Sequence, residues 1–171
     1  GAVGMILAAE DVAKKLTDNP VWITGVGNNI GHFFLGDRDL ASLDIIKKAA
    51  ERTYKRAGIS DPKGAFDIVE VSDMYAYQQP LWVEGLGLCE EGQGGKWIES
   101  GGPDADKVNL SGGTLAGNPM ILGGLVRAAA AVMQLHGEAG GQQADKAKTA
   151  LAHGVMGPAG QFHSVVTLAR D

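Results

Sequence analysis

The sequence predicts an α/β domain, and three observations carry that prediction. Strand-like apolar runs alternate with helical segments in βα order, glycine-flanked polar loops follow the ends of those runs, and one helix, near 120–135, is apolar almost all round. With 171 residues, 44% of them hydrophobic and 20% charged, the chain is long enough to bury one substantial core. Its 15 Lys and Arg against 20 Asp and Glu leave a net charge of −5 with no basic block and no aromatic-basic interleaving, which argues against nucleic acid as a partner.

The elements follow in order. The opening GAVGMILAAEDVAKKL contains an uninterrupted apolar run at 2–9, as expected of a strand buried on both faces, followed by a short helix at 10–16. It carries neither an initiator Met nor a polar leader, so the chain reads as a piece of something longer. After the turn signal Asp18-Asn19-Pro20, VWITGVG reads as the next strand. Leu43, Ile46, Ala50 and Ala57 then fall at helical spacing, with Asp39 or Ser42 available as a cap, Lys55 and Arg56 near the end and Gly58 as the stop; the helix is placed at about 40–57.

FDIVEV, 66–71, is a strand that runs into the polar loop Ser72 to Gln78, at the strand end where open α/β sheets bind ligands. Next comes a segment rich in glycine (Gly85, Gly87, Gly92, Gly94, Gly95, Gly101, Gly102), read as a lid or ligand wall rather than core. MILGGLVRAAAAVMQL, 120–135, has almost no polar face, so it must be covered on nearly all sides, more than one sheet can provide. Arg127, Gln134 and its Ala and Gly content keep this run short of a membrane span. TALAHGVM and QFHSVVTLAR, joined by GPAG, read as two strands and a short turn.

The single cysteine, Cys89, excludes an internal disulfide and any cysteine cluster at metal-ligand spacing, which fits a reducing cytoplasm; it reads as a small buried thiol. No CxxC or HExxH is present, so no metal site is expected. The chemistry is instead expected where three polar loops converge: Ser72 to Gln78, Asn109 to Asn118, and His153 to Gly160.

The order and character of these loops resemble the C-terminal half of the thiolase superfamily, whose loops are Asn-Glu-Ala-Phe, Gly-His-Pro and Cys-x-Gly. The pieces that carry the resemblance are GAVGMILAAE, VSDMYAYQ, LGLCEEGQGGKWIESGG and VNLSGGTLAGNPMILGGLVRA in the family's order, with ALAHGVMGPAGQFHSVVTLAR similar to the closing hairpin of the sterol carrier protein X and acetyl-CoA acetyltransferase branches. It implies a thiolase-like αβα half with a mixed sheet and a largely buried apolar helix, 1–17 being the last strand and helix of the N-terminal half and 18–171 the C-terminal domain. It also implies a coenzyme A thioester as substrate, no bound cofactor, and a nucleophilic cysteine on the N-terminal half. The partners implied are that N-terminal half, further copies of the protein in a homo-oligomer, and a small OB-fold or zinc-ribbon subunit.

Where the family has Gly-His-Pro, this chain has Gly117-Asn118-Pro119, so the imidazole that would deprotonate a thiol is replaced by an amide. Asn118 can donate a hydrogen bond to a thioester oxyanion, and Asn followed by Pro also starts helices in any protein. In the first loop Asp73 can orient a catalytic water or cap a helix, and Tyr75 can offer a phenol or pack where the family has Phe. His153-Gly154 stands roughly where Cys-x-Gly would be; a histidine among apolar strand residues there is more often a hydrogen-bonded structural group than a base, and the same holds for His163. The candidate set is therefore Asn118, Asp73 and His153 as catalytic residues, with Tyr75, Gly117, Gly154, Ser111 and Gly112 lining the substrate. Three functions follow from the resemblance: thiolysis or Claisen condensation of a CoA thioester, a non-catalytic acyl-CoA- or lipid-binding subunit, or a tyrosine-based aldolase.

Overall fold

A computed structural model describes residues 1–100 and 105–170. Its centre is a four-stranded mixed sheet in the order β1-β4-β3-β2. The strands are β1 (Trp22–Ile30), β2 (Ile68–Glu70), β3 (Thr149–Met156) and β4 (Phe162–Ala169). β4 is antiparallel to both of its neighbours, β1 and β3, whereas β2 and β3 are parallel. Strands β1, β2 and β3 therefore all point the same way.

Alternation along the strands creates two cores. Val69, Val71, Leu151 and Val165 point to one face, where α2 (Asp44–Ala57) and α3 (Gln78–Gly85) cover them with Ile46, Ala49, Ala50, Val83 and Leu86. Ile68, Ala150, Ala152 and Leu168 point to the other, where α6 (Gly123–His136) supplies Ala131 and Leu135. The result is the expected αβα arrangement. Helix α2 lies close to β1 because Gly25 and Gly27 present no side chain; a Cβ on Gly27 would stand 2.3 Å from the Ala49 carbonyl.

Helix α2 begins at Asp44, later than the spacing suggests, because Ser42 and Asp39 are used in the turn before it: Ser42 Oγ accepts the Asp44 N–H and Asp39 Oδ1 the Ala41 N–H. It ends as expected, on Gly58 in the left-handed region. Strand β2 is shorter than FDIVEV, although Phe66 and Val71 on either side of it are buried.

Two expectations need larger corrections. Residues 2–9 form no strand and pair with none of β1 to β4, and Ile6 and Leu7 are 93% and 73% exposed; a strand must share its backbone hydrogen bonds with a neighbour. Helix α1 (Glu10–Leu16) does form, with no buried residue. The glycine-rich segment is also less irregular than its composition suggests. Leu86 and Leu88 are core, and Glu84 caps α4 (Gly94–Glu99) from outside by accepting the N–H groups of Gly92 and Gly94. Gly101, Gly102 and Pro103, the end of that segment, lie outside the described residues.

Helix α6 is covered by the sheet along one stripe only. Arg127, Ala131, Gln134 and Leu135 are buried, while Leu125 and Met133 are 41% and 46% exposed. That is the geometry of an apolar helix with one sheet against it. Among the described residues no helix is long and apolar enough to cross a membrane.

Candidate active site at the carboxyl edge of the sheet

Because β1, β2 and β3 run in one direction, the segments that follow β1 and β2 and the turn after β3 leave from the same edge. Val108 pairs with Val69 in a parallel bridge and Asn109 N–H donates to the Val69 carbonyl, so the loop that leads to Asn118 leaves from this edge too. The three predicted loops do meet. Ser72 Oγ donates to the His153 carbonyl at 3.0 Å, Thr114 N–H donates to Asp73 Oδ1 at 2.5 Å, and a Cβ built on Gly154 would lie 2.9 Å from the Gly124 Cα.

Asn118 is exposed, and its Oδ1 accepts the Met120 N–H at 2.9 Å. It is not the N-cap of the long helix. Met120 has φ of 57°, and a single 3-10 turn, Met120–Leu122, intervenes before α6 starts at Gly123. The Asn-Pro signal marks this turn rather than the helix, because an Asn side chain reaches the N–H two residues on as readily as a true helix terminus. With its oxygen engaged, the amide keeps its NH2 as a donor.

Asp73 is 2% exposed and is shared with Thr114, which is 3% exposed. Its carboxylate does cap a helix, as one of the two expectations has it, but the helix is the short α5 (Gly113–Ala116) of the next loop rather than the one that follows it in sequence. Tyr75 is 59% exposed and stacks on Tyr77, centroids 5.9 Å apart and planes 10° apart; it does not fill the core position of a phenylalanine.

Ser111 is not presented to a ligand. Its Oγ donates to Glu70 Oε2 at 2.6 Å and accepts from Arg127 Nη1 at 2.8 Å, and its N–H donates to Glu70 Oε1 at 3.1 Å. Arg127 and Glu70 form a buried ion pair at 3.0 Å. Burial pushes the Glu70 carboxyl above its ordinary range, against the pull of the Ser111 hydrogen bonds and the Arg127 charge. Gly112, with φ of 89°, starts α5 in the left-handed region. Gly117 is extended and exposed, and a Cβ added there would meet nothing within 4 Å. Gly154 has a packing role: it lets the N-terminal end of α6 approach β3 backbone to backbone.

His153 lies within β3, not in a loop, and is fully buried. Its Nε2 is 2.9 Å from Nδ1 of His163, and both rings pack against Trp82. Burial holds His153 well below the ordinary imidazole range, aided by its neighbour, and lowers His163 to about 4. Both are neutral in the fold near neutral pH. Cys89 is half-buried, and burial, then the Glu84 carboxylate, raises its thiol to about 11, so it is a poor nucleophile. Among the described residues no group of three metal-ligating side chains is placed to hold an ion.

Four residues of this network escaped the sequence reading: Glu70, Arg127, Thr114 and Trp82. The signal was present for two of them, a carboxylate inside FDIVEV and a guanidinium inside an otherwise apolar helix. Such charges are rarely buried unless paired. Nothing in their spacing shows that they pair with each other.

The layering is that of an αβα domain, with its polar loops gathered at one sheet edge. A family model described as thiolase C-terminal domain-like matches residues 28–170, and the chain belongs to that family. It is similar to acetyl-CoA acetyltransferase of Methanothermobacter thermautotrophicus, 37% identical over 165 residues that cover 94% of this chain and 43% of that protein. It is also similar to sterol carrier protein 2 of Bos taurus, 35% identical over 165 residues that cover 91% of this chain and 30% of that protein. The chain thus spans less than half the length of these relatives. A solved structure titled Ltp2-ChsH2(DUF35) aldolase shares the fold, with a TM-score of 0.72 at 19% identity over 90% of this chain and 40% of that one.

Proposed function

We propose that this chain works as the C-terminal half of a thiolase-fold protein that forms or cleaves a carbon–carbon bond on a coenzyme A thioester. In this reading the nucleophilic cysteine is supplied by the N-terminal half, which also covers the exposed Leu125 and Met133 face of α6. The observation that carries the proposal is Asn118. It is exposed, with its oxygen tied to the Met120 N–H and its NH2 left as a donor, and by the resemblance Gly117-Asn118-Pro119 corresponds to the family's Gly-His-Pro. Attack on a thioester carbonyl moves charge onto its oxygen, and one well-aimed amide donor there is worth about 3 kcal/mol. An amide takes no proton from a thiol, so deprotonation falls to a group on the other half. His153 and His163 are buried against Trp82 and do not serve.

The similarity to acetyl-CoA acetyltransferase and to benzoylsuccinyl-CoA thiolase subunit BbsB of Thauera aromatica, 30% identical over 159 residues, supports a CoA thioester as substrate. The test is acetoacetyl-CoA cleavage by the full-length protein. Turnover that falls about 100-fold in Asn118→Ala supports the role of the amide; turnover unchanged by it removes that role, and no turnover in a protein whose N-terminal half lacks a nucleophilic cysteine points to a non-catalytic acyl-CoA- or lipid-binding subunit.

A second reading, a tyrosine-based aldolase, is favoured by the exposure of Tyr75 at this same edge. It predicts retro-aldol activity that Tyr75→Phe abolishes and Asn118→Ala only weakens.

A further inference from the structure

Asp73 and Thr114 cap each other. Thr114 N–H donates to Asp73 Oδ1 at 2.5 Å, and Asp73 N–H donates to Thr114 Oγ1 at 3.3 Å. This is the reciprocal pattern of a helix capping box, in which each side chain satisfies the other's backbone N–H. Here the two partners are 41 residues apart and belong to different loops of the candidate site. The carboxylate is aimed at the loop backbone: a Cβ on Gly113 would stand 2.5 and 2.6 Å from its two oxygens, so only a glycine fits there. Helix α5 starts at Gly113, ends at Ala116, and hands the chain to Gly117 and Asn118.

A second bolt reinforces the first. Ser111, just before α5, is held by Glu70 and Arg127, while Asn109 Oδ1 accepts the Val71 N–H at 2.7 Å. Three points of attachment thus fix the start of this loop to the end of β2, and Asn118 stands where the loop passes into the 3-10 turn before α6. Asp73 is too enclosed to touch a substrate.

We infer that Asp73 and Thr114 are positioning residues, which place Asn118 by joining the end of β2 to helix α5. The effect on turnover rests on the proposed role of Asn118; the placement of the loop does not.

The experiment uses the full-length protein with two readouts, steady-state cleavage of acetoacetyl-CoA and amide hydrogen exchange. Asp73→Ala and Thr114→Val are expected to lower kcat about tenfold to 100-fold with KM little changed, as loss of alignment does. In the same variants exchange quickens at residues 113–118 and not in β3 or β4. Asp73→Asn and Thr114→Ser, which keep the acceptor oxygen and the hydroxyl, restore most of both. Asp73→Asn as inactive as Asp73→Ala, with exchange at 113–118 unaltered, would overturn the inference and make Asp73 an acid or base. Should wild type show no turnover, the proposed reaction fails but exchange still decides: quickening confined to 113–118 supports positioning, and unchanged exchange refutes it. If Asp73→Ala does not fold, Thr114→Val, which exchanges the hydroxyl for a methyl group of similar size, carries the test.

Discussion

Nε2 of His153 lies 2.9 Å from Nδ1 of His163, two imidazoles meeting edge to edge with their planes 17° apart and both packed against Trp82. The pair joins β3 to β4 inside the core, and both rings stay neutral because burial penalises the imidazolium. Unfolding releases them to ordinary imidazole behaviour near 6.5. The unfolded chain therefore binds more protons as the pH falls, and stability contributed above about pH 6.5 is lost down to about 4, where His163 titrates in the fold.

For His163 alone that difference amounts to about 3 kcal/mol across the window. Denaturant unfolding at pH 7 and pH 4.5 measures it. Since Glu70, with its raised carboxyl, opposes the trend, the slope is read against the double variant His153→Leu/His163→Leu. The variant should be flatter; equal slopes in the two proteins would refute the assignment.

Arg127 and Glu70 are 4% and 0% exposed in their side chains. Removing one partner leaves a buried charge, so Arg127→Met should cost about 3–5 kcal/mol at pH 7. The cost is smaller at pH 5. Glu70 already titrates above its ordinary value, and without Arg127 it is pushed further up, so stability is present at low pH and lost as pH rises through that value. Adding Glu70→Leu to Arg127→Met should recover much of the loss; a double variant as unstable as the two losses combined would show that the pair is not coupled.

Gly154→Ala tests the approach of α6 to the sheet. The new Cβ would meet the Gly124 backbone at 2.9 Å, and backbone cannot rotate away. A cost of about 1–3 kcal/mol is expected, together with a lower kcat in the full-length protein, because the displaced helix carries the 3-10 turn that Asn118 opens. A denaturation midpoint equal to wild type would show that the helix slides without penalty.

Asn118→Asp separates the two properties of the amide. The carboxylate still accepts the Met120 N–H, so the turn survives, but it offers no donor to an oxyanion and repels one. Stability near wild type with turnover down about 100-fold or more is the expected outcome. Retained turnover would assign Asn118 to the turn alone.

Much of this molecule was legible in its residues, for reasons that are local. Periodicity placed β1, α2 and the β3–β4 hairpin, and the stop at Gly58 was right because a left-handed residue needs no tertiary partner. The misplacements share one cause. The run at 2–9 has the composition of a strand without a neighbouring strand to pair with, and Asn118-Pro119 has the chemistry of a helix cap but opens a turn.

By itself, then, the sequence determined the α/β class and the polar loops at the strand ends, because apolar spacing and residue type are properties of short stretches, while the αβα layering and the reading of Asn118 as a replaced imidazole came with the family resemblance. Only the tertiary structure decided what the buried polar groups do. Asp73 caps a helix of another loop, Ser111 belongs to Glu70 and Arg127, and His153 is bound to His163. A buried polar atom must find a partner wherever the fold brings one, and neither the distance along the chain nor the identity of that partner is written in the neighbouring residues.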